Sequence, residues 1–234
     1  MSAVAINSTL ARGVFFYRTT IGKKVVMAVT GLILFGFLIG HMAGNLQFFL
    51  GREALNSYAE HLHELAGLLW TARIVLLLSV FLHILAAIQL VNLQRAARPV
   101  SYYKRTAVGS TYASRTMYWS GPIIAIFVVY HLLHMTLGVS GIHPHFEHLN
   151  AYDNVVYGFS QPLVTIAYTI AMILVGMHLY HGIWSMFQSL GLSHPRYTPK
   201  LRVFAKVFSV LLIIGFLAVP LAVLAGYHPD FNRV

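Results

Sequence analysis

The chain has no cysteine, little charge and almost no acid. Without cysteine it can form no disulfide, no zinc–thiolate site, no iron–sulfur cluster of its own and no covalent haem link through C-x-x-C-H. Charged residues make up 9% of its 234 positions, against roughly 25% in a typical soluble domain. That is too few to cover a water-facing surface, so the solvent for the outer face must be lipid. Long flexible linkers and low-complexity tracts are also absent, and one domain is the simplest count. Nothing resembles a cleaved signal, because the first apolar run is too long and lacks a small-residue cleavage site.

What the chain does have is apolar length and histidine. It is 58% hydrophobic with 13 histidines, and its mean hydropathy is +0.70. Five charge-poor windows, at about 24–44, 67–92, 118–141, 162–188 and 206–227, each reach the ~20 residues that cross a ~30 Å hydrocarbon core. The fourth opens on Pro162, suited to a first helical turn. The expected fold is an all-α integral membrane protein of five transmembrane helices, four of them forming a bundle.

The +10 formal charge follows the loops. Arg12, Arg18, Lys23 and Lys24 precede the first span. Arg95, Arg98, Lys104, Arg105 and Arg115 fill the second connection, and Arg196, Lys200, Arg202 and Lys206 the fourth. The first loop sets Arg52 against Glu53, Glu60 and Glu64, and the third holds only Glu147 and Asp153. Positive charge on one side at every crossing predicts a cytoplasmic N-terminus and an outer C-terminus. It does not indicate nucleic acid. In the first outer loop, Leu55, Tyr58, Leu62 and Leu65 recur at helical spacing, which predicts a short amphipathic helix over the bundle.

Polar groups at membrane depth are costly and tend to be functional. Here they are histidines: His41 in the first span, His83 in the second, His131 and His134 in the third, His178 and His181 in the fourth. One alone fits an interhelical hydrogen bond; four consecutive spans carrying them point to a bound cofactor. At 1.5 Å per residue, His41 lies ~26 Å and His131 ~20 Å from the cytoplasmic edge, whereas His83 and His178 lie ~14 and ~15 Å from it. An outer pair, His41 with His131, and an inner pair, His83 with His178, result. The two hairpins repeat this order. His134 and His181 each follow a candidate by three residues on nearly the same face, so spacing does not choose within those pairs.

Facing imidazoles with no thiolate or carboxylate suit a six-coordinate b-type haem, an electron-transfer group. A structural zinc would want four ligands together. Gly36, Gly40 and Gly44 beside His41, and Gly176 beside His178, admit either a flat macrocycle or close helix packing. Trp70, Trp119 and Trp184 suit interface anchors. Arg73, a charge in the outer third of the second span, suits either snorkelling or a haem propionate.

These residues resemble a known family. The entry FYRTTIGKKVVMAVTGLILFGFLIGHMAGN, the loop REALNSYAEH, the span-four GMHLYHGIWS and the loop SLGLSHPR resemble the five-helix, di-haem cytochrome b (b558-type) membrane anchor of succinate:quinone oxidoreductases, across essentially the whole chain. The resemblance implies one iron ligand from each of the first four helices: His41 of GHMAGN, His83 of FLHIL, His131 of VVYH, and His178, four positions before Gly-Ile-Trp-Ser. It implies two non-covalent haems b, with His41 and His131 on the outer and His83 and His178 on the inner. It further implies a flavoprotein subunit, an iron–sulfur subunit, a bacterial cytoplasmic (inner) membrane and a place in respiratory complex II, succinate dehydrogenase or fumarate reductase, of the tricarboxylic acid cycle. Electrons would pass through the inner haem, then the outer, to quinone, commonly menaquinone; succinate itself would react elsewhere in the complex. The basic loops 101–115 and 193–202 then suit docking, as well as positive-inside topology. Quinone chemistry needs protons as well as electrons, for which Glu60, His63 and Glu64 on the outer rim are candidates. The alternatives are the cytochrome b subunit of a hydrogenase or formate dehydrogenase, and a histidine-lined metal-ion transporter, which would favour broken helices and acidic residues at the midplane.

Overall fold

The structure is a computed structural model and describes residues 12–97, 100 and 110–230. Arg98, Lys104, Arg105 and most of the loop 101–115 therefore lie outside the described residues. The chain is 82% helical, with no strand among the described residues.

Among the described residues, seven long or well-defined helices follow one another: α1 (Thr20–Leu46), α2 (Arg52–Glu64), α3 (Ala66–Ala96), α4 (Tyr112–His131), α5 (Ala151–Phe159), α6 (Pro162–Ser189) and α7 (Thr198–Leu224). Five of them, α1, α3, α4, α6 and α7, are long and apolar enough to cross a membrane. Residues 12–18 add a short helical stretch before α1. Local chemistry sets several starts. The Thr19 side chain accepts from the Gly22 N–H at 2.9 Å, and Thr111 accepts from Ser114 at 3.1 Å, each satisfying one orphan amide of a first turn. Pro162 stands at the beginning of α6, where a missing N–H costs nothing.

The spans differ from their sequence boundaries where polar residues continue a helix. The fifth begins at Thr198 instead of about 206, because Lys200, Arg202 and Lys206 are good helix formers that a charge-free window excludes. The third starts at Tyr112 and stops earlier than 141. After His131 it widens into a π turn, Leu132–Thr136, and Gly138 then takes φ +56°. The amphipathic helix is present as α2, with Leu55 buried, but Leu65 lies beyond its end. The sequence reading did not include α5, a short helix in the loop before α6.

The spans converge at one end. Phe48, Leu55, Tyr152, Val156, Phe159, Tyr168, Val219 and Val223 form one buried cluster that joins α2, α5, α6 and α7 at the end carrying all the acidic loops. Burying each such side chain contributes about 1.5–3 kcal/mol. Here the Arg52 guanidinium pairs with the Asp153 carboxylate, and this hydrogen bond raises the pKa of the arginine further. The middle of the bundle is looser. Close backbone packing joins α6 to α7, α1 to α3, α4 to α6, and α1 to both α6 and α7. Among the described residues, no comparable backbone packing joins α3 to α4 or α6, or α1 to α4; the histidine pairs join helices across these gaps.

Candidate functional site

The structure brings the intramembrane histidines together in two pairs, each drawn from two helices. His41 of α1 meets His131 of α4 with ring centroids 5.7 Å apart. His83 of α3 meets His178 of α6 at 6.2 Å. These are the pairs that depth along the spans gave, and each spans two helices that are not sequence neighbours.

The local hydrogen bonds orient these rings. His83 Nδ1 lies 3.1 Å from the Met27 carbonyl oxygen and 3.2 Å from Thr30 Oγ1. A carbonyl only accepts, so Nδ1 carries the proton and Nε2 keeps the lone pair. Thr30 spends its own proton on the Val26 carbonyl at 2.8 Å, leaving its oxygen free to accept. Gly31 contributes space, since a Cβ there would meet the His83 ring at 3.4 Å. His131 Nδ1 lies 3.1 Å from the Tyr168 hydroxyl. His178 Nδ1 is buried with no hydrogen-bond partner. Met27, Thr30 and Tyr168 were not among the sequence candidates; for Thr30 and Tyr168 the available signal was a hydroxyl inside an apolar span.

The structure separates the spare histidines from the pairs. His134 is 1% exposed and stacks on Tyr130 at 5.5 Å, while its Nδ1 shares the Tyr168 hydroxyl at 3.0 Å. The wider π turn carries it off the face of His131. His181 instead meets Trp184 edge to face at 5.8 Å. The glycines also divide. Gly36 and Gly40 face open space, whereas Gly44 abuts the Tyr58 ring and Gly176 abuts Ile213. Only the first two suit a macrocycle; Gly44 and Gly176 are packing residues.

The remaining candidates sit elsewhere. The Arg73 guanidinium lies 5.2 Å over the exposed Trp70 ring. Glu60, His63 and Glu64 are exposed on α2. Glu64 lies 3.4 Å from His61, and His63 meets the His148 ring at 5.6 Å.

The centroid separations of the two pairs, 5.7 and 6.2 Å, are close to that of two imidazoles opposed across one metal ion. A ring nitrogen lies about 1.1 Å from its centroid, given ring bonds of ~1.33 Å, and binds a metal such as zinc at about 2.0–2.1 Å. Opposed imidazoles then hold centroids about 6.2 Å apart. No cluster of three or more His, Cys, Asp or Glu suited to a metal occurs among the described residues. No protein-family model, curated protein or solved structure matches the chain.

Proposed function

We propose that the chain is the membrane-anchoring di-haem cytochrome b subunit of a succinate:quinone oxidoreductase. The observation that carries this reading is the meeting of His41 with His131 and of His83 with His178 across the bundle. Both pairs lie inside helices apolar enough to cross a membrane, and the sequence resemblance adds the class of complex.

A b-type haem held by these histidines would supply one-electron transfer. The protein's part is to fix the ligands. Met27 and Thr30 hold the His83 ring in the tautomer that presents Nε2. Tyr168 holds His131. Gly36 and Gly40 leave a flat face open beside His41. The four histidines are half-buried within apolar spans.

The reading assigns His41 and His131 to the outer haem and His83 and His178 to the inner. A flavoprotein and an iron–sulfur subunit on the cytoplasmic side of a bacterial inner membrane would deliver electrons, the second being required because this chain has no cysteine. Menaquinone would accept them at the acidic end, with Glu60, His63 and Glu64 serving its protons.

A reduced-minus-oxidised absorption spectrum of the detergent-purified protein tests the proposal. Two b-type haems per chain are expected. A preparation that holds zinc and no haem would overturn it.

A further inference from the structure

All six acidic residues, Glu53, Glu60, Glu64, Glu147, Asp153 and Asp230, belong to the loops and tail of one end. The cations of the opposite, basic end therefore have no carboxylate of this chain to meet. Three of those described rest on carbonyls or rings instead. Lys23 donates to the Tyr17 and Arg18 carbonyls at 3.1 and 2.8 Å. Arg95 lies 5.7 Å over the Tyr118 ring, and Arg202 lies 4.5 Å over that of Trp184.

The last of these contacts carries an unmet demand. Trp184 Nε1 is buried with no hydrogen-bond partner, and so is His181 Nδ1. An indole N–H can only donate, and native structures rarely leave a buried donor unmet. Both groups stand on α6, one and two turns from His178 toward the basic end, about 4.5 and 9 Å along the axis. Arg202 reaches Trp184 from α7 and adds a positive charge. An unmet indole N–H and a guanidinium, beside an imidazole nitrogen that can carry a proton, are together the complement of a carboxylate.

We propose that His181, Trp184 and Arg202 form a carboxylate-binding site, occupied by a propionate of the haem held by His83 and His178. This rests on the haem reading above. The site starts one helical turn from His178, so a carboxylate attached to a group on that histidine reaches it without a separate binding event. Arg73 does not compete for the role. It lies ten residues from His83, about 15 Å along α3 toward the acidic end, and covers Trp70. The assignment also explains Trp184 better than interface anchoring does, because an anchor turns its N–H to water.

The test uses the purified two-haem protein carrying haem labelled with carbon-13 at the propionate carboxyls. Redox-difference infrared spectra and a potentiometric titration are recorded for wild type, Trp184→Phe, Arg202→Gln and a control, Arg196→Gln. The expected result is a shift of labelled carboxylate bands in Trp184→Phe and Arg202→Gln. The midpoint potential of the His83–His178 haem should fall in both, since an unneutralised carboxylate favours ferric iron. The other haem and the control should not change. Arg202 is exposed, so its variant keeps the test valid if Trp184→Phe fails to fold. Unchanged bands and potential in Arg202→Gln would overturn the proposal, as would equal shifts in both haems. Loss of affinity for a menaquinone analogue with the carboxylate bands unmoved would also overturn it, in favour of a quinone carbonyl. Failure of the underlying haem reading is separate and visible first, as wild-type protein without haem.

Discussion

The Tyr168 hydroxyl lies 3.1 Å from His131 Nδ1, and the same oxygen lies 3.0 Å from Nδ1 of His134. A phenol has one proton and two lone pairs, so it can accept from His131 while donating to His134. Accepting from the far nitrogen of a metal-binding imidazole raises the ligand's basicity, which favours the ferric state. Tyr168→Phe should therefore raise the midpoint potential of the His41–His131 haem and leave the other unchanged. It should also destabilise the protein by about 1–3 kcal/mol through the buried nitrogen of His134. A redox titration that finds both potentials unmoved would remove this role.

Pairing across the bundle predicts which variants resemble one another. His83→Ala and His178→Ala should each lose the same haem, and His41→Ala and His131→Ala the other. His181→Ala and His134→Ala should keep two haems per chain. Absorption and low-temperature electron paramagnetic resonance spectra distinguish the two losses. Different haems missing from the His83 and His178 variants would refute the pairing.

Glycines on α1 and α6 predict opposite defects. Gly40 has open space beyond its Cα, so Gly40→Leu should fold normally but take up less haem at the adjacent His41. Gly176→Val drives a side chain into Ile213 and should cost about 1–3 kcal/mol as an overpacked interface. Haem content against thermal stability separates them: the first variant changes content, the second stability.

The acidic end should be sensitive to alkali. Tyr152 is fully buried, and burial raises its phenol above the ordinary value. The folded state then keeps the proton after the unfolded state has released it. This contribution is complete below about pH 10 and falls as pH rises through the higher folded value. Melting temperatures of wild type and Tyr152→Phe between about pH 8 and 11 should converge as the wild type loses this advantage. Parallel curves would sink the idea.

The spans and histidine pairs were legible because each rests on a one-dimensional property. Apolar length marks a crossing, and 1.5 Å per residue turns position into depth. Depth paired His41 with His131 without any knowledge of how α1 and α4 approach. Features that depend on a change of helical pitch or on distant chain were not legible. His134 followed His131 by one turn, and only the π turn at Leu132–Thr136 removes it from that face. The helix α5 had a signal in Tyr152, Val156 and Phe159, buried at helical spacing, but a nine-residue segment is weak beside five long apolar runs. Trp184 read as an anchor because nothing in sequence shows that Arg202 covers its ring.

Gly51, the residue before α2, has no side chain to cap that helix, and its φ of +104° suits glycine. Asp230 supplies the missing acceptor, taking the Arg52 backbone N–H onto its carboxylate, and its own N–H donates to the Tyr152 hydroxyl at 3.2 Å. A side chain at Gly51 would strike that carboxylate. Asp230→Ala should cost about 0.5–2 kcal/mol, the ordinary value of a lost helix cap. The consequence concerns biogenesis. A cap normally forms within four residues, whereas this one closes over 178. During synthesis α2 must wait uncapped until α7 and the residues that follow it have been made. The chain thus carries a latch between its first loop and the segment after α7: a variant without Asp230 would leave the first loop unfastened and more open to proteases.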